Sequence, residues 1–263
     1  MKRKTERDDA LKLARLSAVG QLPTVEIPPA RVRQWRALIL YRAKLVGRRK
    51  AIKNSIRSLL DRQGMAMPIG AKAWSNKAVA ALSLQARSLA SCDPEELWRG
   101  QLEMELTAYA QAHALIDQVE AKLDILAAED ERVGRLRTIP GVGPRLGELL
   151  VAVIDDPERF KSRKQIGAYI GLVPRQIASG TMDRQAGITK SGHRLLRSIL
   201  VEVSWLMLRY NPELKRFYDQ VCRGSRSRRK IAAVATARHL LVICWAMLRD
   251  KTEWSPPQRP ASN

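Results

Sequence analysis

Apolar residues recur at helical spacing along the N-terminal half of the chain. A repeat of seven predicts one long helix over residues 29–62, and a three-four spacing predicts a second that begins near Asp93, whose side chain is expected to cap it. GMAMPIG at residues 64–70 breaks the first helix, and a weaker helical stretch follows over residues 72–90. Two such helices favour an antiparallel coiled coil within one chain or between subunits. The repeat of seven is carried by Leu38, Leu45, Ile52 and Leu59.

The pattern changes at Val133, where glycine-rich turns and short apolar runs replace the long stripes. Residues 195–208 have one apolar face, and residues 231–248 are apolar almost all round, so the second segment is predicted to be a buried helix. We therefore predict a mainly α fold in which long helices precede a compact helical C-terminal domain. The predicted divisions are a short N-terminal segment at 1–16, a linker and coiled-coil region at 17–132, the C-terminal domain at 133–250 and a loose tail at 251–263.

Basic residues outnumber acidic ones by 47 to 26, which gives a formal net charge of +21 and a pI near 10.6. Nucleic acid is the favoured partner because basic side chains release counterions from phosphates. The first long helix and the run CRGSRSRRK at residues 222–230 are densely basic, although a solvated face explains either one equally well. No apolar run is long enough to span a bilayer and no leader is seen, so we expect a cytoplasmic protein without a membrane partner.

The three cysteines, Cys92, Cys222 and Cys244, lie far apart in the sequence. Because they form no C-x-x-C pair, they predict neither a zinc site nor a disulfide framework, and we expect buried thiols in a reducing compartment. Only three histidines are present, which excludes a histidine-rich metal site. Any metal site would therefore require carboxylates.

IPGVGP at residues 139–144 has the pattern of a helix-hairpin-helix turn. In such a turn Gly141 and Gly143 would let the backbone approach a phosphate, and the next helix would present its N-terminal amides. A plain tight turn between two helices has the same pattern. The charge of the chain favours nucleic-acid contact over that alternative.

KTERDDALKLA at residues 4–14 places Glu6 and Asp9 three residues apart on one face of a predicted helix. Two such carboxylates can help to hold a divalent cation. Acidic residues in a first turn also stabilise the helix dipole without any metal. The spacing alone favours this second interpretation.

PRQIASGTMDRQAGITKSGHRLLR at residues 174–197 places a Ser-Gly pair, Ser179 and Gly180, in a cationic loop. A serine that attacks a phosphodiester needs a presented hydroxyl, room for the strand and cations for the phosphate, and this stretch supplies each type. Ser-Gly is also a common turn pair, and the local sequence favours that interpretation. The candidate phosphate contacts are Arg175, Arg184, Lys190 and Arg197.

Three motifs, IPGVGP, FKSRKQIGAYIGLVPRQIASG and GITKSGHRLLRSIL, resemble in this order the C-terminal serine domain of the bacterial insertion-sequence "one-ten" transposases, over residues 133–248. KTERDDALKLA resembles the end of that family's RuvC-like domain, which carries four acidic residues (DEDD). The resemblance implies DNA strand exchange with Ser179 as nucleophile and with Glu6 and Asp9 among the ligands of Mg²⁺. It also implies DNA and a guide RNA as partners, a homo-oligomer, and a location in the bacterial cytoplasm beside the nucleoid.

Two departures from the family pattern change this expectation. Glu6 stands where the family has an aspartate, and the sequence begins just before this segment, without the first two acidic residues. We therefore expect that the chain alone does not transpose, because half of the magnesium site is missing. The alternatives are a non-catalytic nucleic-acid-binding protein that interferes with a full-length transposase by mixed dimerisation, and an RNA-binding scaffold built on the basic helix at residues 31–62.

Overall fold

The computed structural model describes residues 6–22, 27–179 and 182–256, and it leaves out the side chains of residues 176–186. Helices dominate these described residues, and the sheet found among them has two strands, so the prediction of a mainly α fold is confirmed. The α-helices are α1 (Glu6–Ala18), α2 (Ala30–Arg62), α3 (Asn76–Ser83), α4 (Leu97–Ala128), α5 (Glu131–Arg137), α6 (Pro144–Ile154), α7 (Arg163–Ile170), α8 (Arg194–Met207), α9 (Pro212–Cys222) and α10 (Arg229–Asp250). The strands β1 (Pro174–Ser179) and β2 (Met182–Ile188) lie between α7 and α8. Short 3-10 turns lie at Gly70–Trp74, Leu89–Ser91, Pro94–Glu96, Pro157–Arg159 and Arg226–Arg228.

The two long helices, α2 and α4, pack along each other in opposite directions. Arg42 pairs with Glu120 at 2.5 Å, and the hydroxyl of Ser55 donates to Glu105 at 2.6 Å. Residue numbers thus fall along α4 as they rise along α2, so the pair is antiparallel. A supercoil of this pair and a pairing between subunits stay predictions.

The start of α4 differs from the prediction. A separate 3-10 turn at Pro94–Glu96 precedes the helix, which begins at Leu97, and the side chain of Asp93 makes no capping hydrogen bond. The turn separates Asp93 from the first free amides of α4, so the predicted cap is wrong. Glu96, just before the helix, instead accepts from Arg87 at 2.7 Å and from Arg99 at 3.1 Å.

A small apolar cluster closes the end of the helix pair where α2 ends and α4 begins. The chain between the two helices folds over it, and Gly100 of α4 lies so close to Leu89 that an added Cβ would come within 2.7 Å of its Cα. This close packing ties the connecting segment to the helix pair. The buried members of the cluster are Ile56, Leu59, Leu60, Leu102 and Leu106, and the partly buried members include Met65, Trp74, Val79, Leu82 and Trp98.

The main core surrounds α6, whose residues from Leu146 to Ile154 are all buried. Apolar side chains of α5, α7, α8 and α10 pack around it, and the near end of the α2–α4 pair joins the same cluster through Trp35 and Leu123. The core therefore continues across residue 133, where the C-terminal domain was predicted to begin. The domain boundaries themselves stay predictions.

Three arginines complete the C-terminal end of α6. The last carbonyls of a helix have no partner within it, and burial without donors would be costly. Arg36 of α2 donates to the carbonyls of Ala152 and Val153, Arg159 to those of Val153 and Ile154, and Arg132 to that of Asp155. The contacts of Arg36 also join the long helix pair to the centre of the core.

The last helix, α10, is a core element. Among the residues described, Arg226–Asp250 is the one helical stretch that is long and apolar enough to cross a membrane. However, 56% of its most apolar part is buried inside the fold. Ten of its side chains are buried, including those of Ala237, Leu241 and Cys244. The prediction of a buried helix at residues 231–248 is thus confirmed, with bounds of Arg229–Asp250.

Candidate nucleic-acid interface

The stretch that carries Ser179 forms a β-hairpin and not the loop that we predicted. β1 and β2 are antiparallel, and Ser179 faces Met182 in the last pair before the connection. The prediction failed because β-branched residues, the usual signal for a strand, are rare here. Gly180, the predicted site of close strand approach, lies outside the described residues.

The base of the hairpin is clamped by two glycines that have left-handed backbones. Gly171 follows α7 with φ of 78°, and Gly192 precedes α8 with φ of 79°. A Cβ on Gly171 would collide with the carbonyl of Ser191, and one on Gly192 with the carbonyl of Tyr169. The two backbone segments therefore touch directly, and only glycine fits at either position.

Arg197 reinforces this clamp. Its Nη1 donates to the carbonyls of Ile170 and Ser191, each at 2.9 Å, which ties the end of α7 to the turn before α8. Lys190 lies in the same turn with φ of 58°, and its amide donates to the carbonyl of Gly171 at 3.3 Å. These two candidate phosphate contacts thus lie at the base of the hairpin.

The hairpin separates Ser179 from its base. Five residue steps along β1 span about 17 Å at the usual rise of a strand. Lys190 and Arg197 are accordingly remote from the hairpin end, as is Arg175, an exposed residue near the start of β1. Arg184 lies nearer along the hairpin, because its pair with Ile177 is only two residue pairs from the pair of Ser179 with Met182.

His193 caps the helix that follows the hairpin. Its Nδ1 accepts from the amide of Leu196 at 3.2 Å, which requires a ring without a proton on that nitrogen. Burial lowers the pKa of His193, and repulsion from Arg36 and Arg197 lowers it further. The neutral form is thus matched to the capping role. The sequence does not mark His193 for this role, because histidine is an unusual helix cap.

The segment IPGVGP forms the turn between α5 and α6, and a helix-hairpin-helix motif at this turn stays a prediction. Gly141 and Gly143 lie exposed in the turn, with Met207 of α8 packed close to Gly141. The neighbouring cation Arg145 is engaged: it pairs with Asp124 and, at 2.9 Å, with Glu148. The turn can therefore offer its backbone to a phosphate, while Arg145 serves the contact between α6 and α4.

Glu148 is a carboxylate inside the core. Its side chain is 1% exposed, and both of its oxygens accept from Arg145, at 2.9 and 3.0 Å. Burial raises the pKa of Glu148, against the opposing effect of Arg145. The pair lies within α6, and burial keeps Glu148 away from an external ligand. Arg145 also joins α6 to α4 through Asp124.

The two candidate metal ligands lie in the first turn of α1. No residue of this helix is buried, and Glu6 and Asp9 are exposed. Groups of three or more histidine, cysteine, aspartate or glutamate side chains that could hold a metal do not occur within residues 6–22, 27–179 and 182–256. These two carboxylates alone provide too few ligands for a divalent cation that needs six or more oxygens.

The basic run at residues 222–230 lies on the surface between α9 and α10. Arg223 ends α9 with a left-handed backbone, and Arg229 lies over the ring of Trp205 at 5.9 Å. In the described part of the chain no carboxylate forms an ion pair with the cations of this run. It therefore remains a candidate phosphate contact. The exposed cations are Arg223, Arg226, Arg229 and Lys230.

Comparison with known proteins shows which family this region of the chain resembles. Residues 133–219, which include the turn at IPGVGP, the hairpin and its clamp, match the model of the transposase IS116/IS110/IS902 family. Residues 133–219 are therefore similar to a transposase domain of the IS116/IS110/IS902 family, and the resemblance read from the ordered motifs is confirmed.

Similarity to individual transposases extends over most of the chain. The transposase for insertion sequence element IS1111A of Coxiella burnetii is 29% identical over 93% of the chain, and the chain spans 66% of that relative's length. A probable family 20 transposase of Pseudomonas aeruginosa is 26% identical over 96% of the chain, which spans 75% of its length. A pilin gene-inverting protein of Moraxella lacunata is 34% identical over 45% of the chain and 37% of its own length.

Proposed function

We propose that this chain acts on DNA as a transposase or recombinase of an insertion sequence, with Ser179 as its nucleophile. The observation that carries the proposal is the place of Ser179 in the last pair of a β-hairpin whose base is clamped by Gly171, Gly192 and Arg197. Such a hairpin holds one end of the strand pair in place and extends the other toward a ligand. The relatives named above, transposases and a gene-inverting protein, support a reaction on DNA.

The proposed reaction exchanges one phosphate ester for another. Oγ of Ser179 attacks the phosphorus, the bond from phosphorus to the leaving DNA oxygen breaks, and the proton lost by the serine is balanced by the proton gained by the leaving hydroxyl. The DNA is then held as a phosphoserine ester. A hydroxyl of another strand reverses the step and joins the DNA without ATP, because the number of ester bonds is unchanged.

The cations around the hairpin are assigned different shares in this reaction. Arg184, on a rung near Ser179, is proposed to neutralise the attacked phosphate, and Arg175 and Lys190 to contact the strand nearer the base. Arg197 has two carbonyl partners, so its phosphate contact is expected to be weak. Gly180, Gly141 and Gly143 are proposed to admit the DNA backbone closely.

Magnesium enters this proposal only through the resemblance. The family's chemistry uses it to stabilise charge at the phosphate, and Glu6 and Asp9 are the matching residues. Two exposed carboxylates do not fit the ion by themselves, so we assign no step to a metal.

A guide RNA, self-association and a location in the bacterial cytoplasm with the nucleoid belong to the same proposal. Support for a nucleic-acid partner comes from the net charge of +21. Self-association is supported by the exposed apolar side chains of α1, such as Leu13, which is 56% exposed.

The test is to trap a covalent protein–DNA adduct. The purified chain is mixed with DNA that carries element ends, guide RNA and Mg²⁺, with and without a longer family member, and the products are separated under denaturing conditions. When the longer family member is present, we expect an adduct with the mass of the unchanged chain, and none of that mass with Ser179→Ala. Ser191→Ala is the matched control, since this second serine of the stretch lies at the base of the hairpin and should keep the adduct.

Two outcomes would contradict the proposal. An adduct that survives Ser179→Ala would assign the nucleophile to another residue. Binding of DNA without an adduct in any mixture would favour the non-catalytic alternative, in which the chain binds nucleic acid and competes with an active transposase.

A further inference from the structure

Three cations follow one another on a single face of α2. Arg49, Lys53 and Arg57 are partly buried, and their spacing of four residues places successive side chains side by side. Nζ of Lys53 lies 4.9 Å from the ring centroid of Trp74 and 5.5 Å from that of Tyr109. The aromatic rings thus hold the middle cation in a fixed position at the surface.

These cations have no carboxylate partner in the part of the chain that the structure describes. The contact of Arg49 is with the ring of His113 at 3.3 Å, and Asp117 lies 3.6 Å from the other side of that ring. The pKa of Lys53 is lowered by burial and by repulsion from its two neighbours on α2. Like charges at this spacing destabilise a helix, so an external anion would stabilise the arrangement.

The patch is separate from the hairpin that carries Ser179. Arg36, which joins α2 to the end of α6, precedes Lys53 by 17 positions in the sequence. A helix rises about 1.5 Å per residue, which places the patch about 25 Å along α2 from that junction. Trp74, which covers this face, belongs to the apolar cluster at the other end of the helix pair.

We propose that Arg49, Lys53 and Arg57 bind the phosphodiester backbone of a nucleic acid at a second site, apart from the hairpin. Cations four residues apart on a helix are separated by about 6 Å, which is close to the distance between neighbouring phosphates of one strand. Tyr109 is only 8% exposed, so its ring is not open for a base to stack on it. The contact is therefore to phosphates and independent of sequence.

This inference does not rest on Ser179. If that serine fails as a nucleophile, the patch still binds; if the patch fails, the covalent adduct test is unaffected. The two proposals are therefore tested by different measurements.

The experiment compares two triple variants that lose equal charge from the same helix. Arg49→Gln, Lys53→Gln and Arg57→Gln remove the patch, and Arg33→Gln, Lys44→Gln and Arg48→Gln remove exposed cations elsewhere on α2. Binding of a 30-base-pair DNA duplex and of a 30-nucleotide unstructured RNA is measured as a function of salt concentration. Circular dichroism and thermal unfolding confirm that both variants are folded.

We expect the patch variant to lower the slope of log affinity against log salt by about 2 to 3, or about 0.7 to 0.9 for each lost phosphate contact. Affinity at 0.1 M salt should fall by about five- to tenfold per contact. The control should change the slope by less than about 0.9, which is the value for one phosphate contact. A loss with RNA alone, or with duplex DNA alone, identifies which nucleic acid uses the patch.

The proposal is overturned if the patch variant and the control change the slope equally, since the effect is then one of total charge. It is also overturned if the patch variant binds both probes normally but changes the self-association of the chain in analytical ultracentrifugation, because the patch then contacts acidic residues of a second copy. Lys53→Arg, which keeps the charge over the rings, should retain the slope of the unchanged chain.

Discussion

The two ends of α2 use the same kind of side chain for different purposes. Near its start, Arg36 donates to the last carbonyls of α6 and is part of the core packing. In its second half, Arg49 and Arg57 have no carboxylate partner in the described ranges and lie on the surface beside Lys53. Net charge therefore does not reveal how many cations can bind nucleic acid, because some of them satisfy the backbone of the protein itself.

The surroundings of α6 and of the exposed part of α2 also differ in how closely they are packed. Around α6 and the hairpin base, backbone segments touch at Gly171 and Gly192, and most of the buried side chains are apolar. Along α2, Gly47 has no atom within 4 Å of the position where a Cβ would lie. The first region should tolerate little change, while the second should accept substitutions with small effects on stability.

The largest expected effect comes from Gly192→Ala, which adds a Cβ against the carbonyl of Tyr169 in a left-handed backbone. We expect this variant to lose more than about 3 kcal/mol of unfolding free energy, because both strain and a backbone clash oppose it. Gly47→Ala is the matched control in α2 and should gain up to about 1 kcal/mol, since alanine is the better helix former. Urea unfolding measures both values, and equal effects would show that the two regions do not differ as described.

The next effect comes from Arg36→Met, which keeps much of the side-chain length but removes the donors at the end of α6. A loss of about 2 to 3 kcal/mol is expected, because carbonyls of the core lose charged hydrogen-bond donors. Arg33→Met, at an exposed position one turn away, should change stability by less than about 0.5 kcal/mol.

A second measurement separates this role of Arg36 from a general loss of packing. Arg36 contributes to the lowered pKa of His193, so the pKa of that histidine should rise in Arg36→Met. Titration of the imidazole signals by NMR measures the change. A pKa that stays the same would mean that Arg36 does not lie close to His193 in solution.

The long helices of both regions could be predicted from sequence patterns. Apolar spacing predicted the helix over residues 29–62, which the structure places at Ala30–Arg62, and the buried helix around residues 231–248. These patterns are visible because the period of a helix repeats many times over such lengths. The β-hairpin at Ser179 is short and poor in β-branched residues, so no comparable repeat predicts it.

The roles of single arginines were beyond the reach of sequence patterns. Arg36 and its acceptor Val153 lie 117 positions apart, and nothing local marks either as a partner. The candidate cations of the site illustrate the same limit: Arg184 shares the hairpin with Ser179, whereas Arg197 spans the base through two carbonyls. Only the fold reveals which cations support the backbone of the protein.

A smaller effect, seen only as a pH dependence, is expected at Glu148 in the core. Burial raises its pKa above the usual 4.5, so the folded chain holds this proton more tightly than the unfolded chain does. The associated stability is fully present below pH 4.5 and is lost as the pH rises through the folded pKa. Glu148→Gln stays neutral, and its unfolding free energy relative to the unchanged chain should therefore increase from pH 4 to pH 7.

The matched control for this prediction is Glu131→Gln. Glu131 also pairs with an arginine, Arg135 at 3.0 Å, but its side chain is 87% exposed. Its variant should differ from the unchanged chain by a small amount that does not increase over the same pH range. An increase of equal size in both variants would show that burial is not the cause at Glu148.

The smallest expected effect is a difference in reactivity between two thiols, which involves no change in the free energy of unfolding. We predicted three buried cysteines. The prediction is wrong for Cys92, which lies in the segment that covers the helix pair and is partly exposed. Burial raises the pKa of Cys244 in α10 to about 12, so this thiol is neither accessible nor ionised at pH 8. A thiol reagent at that pH should modify Cys92 within the folded chain and reach Cys244 only when the chain unfolds.

Cys92→Ser provides the control, because it should remove the fast phase of modification and leave the rate at Cys244 unchanged. Mass spectrometry of the modified peptides assigns each rate to its residue. Rapid modification of Cys244 at pH 8 would mean that the core around α10 opens more readily than the segment over the helix pair. The closely packed core around α10 would then open more easily than the helix pair, which is the opposite of the difference in packing described above.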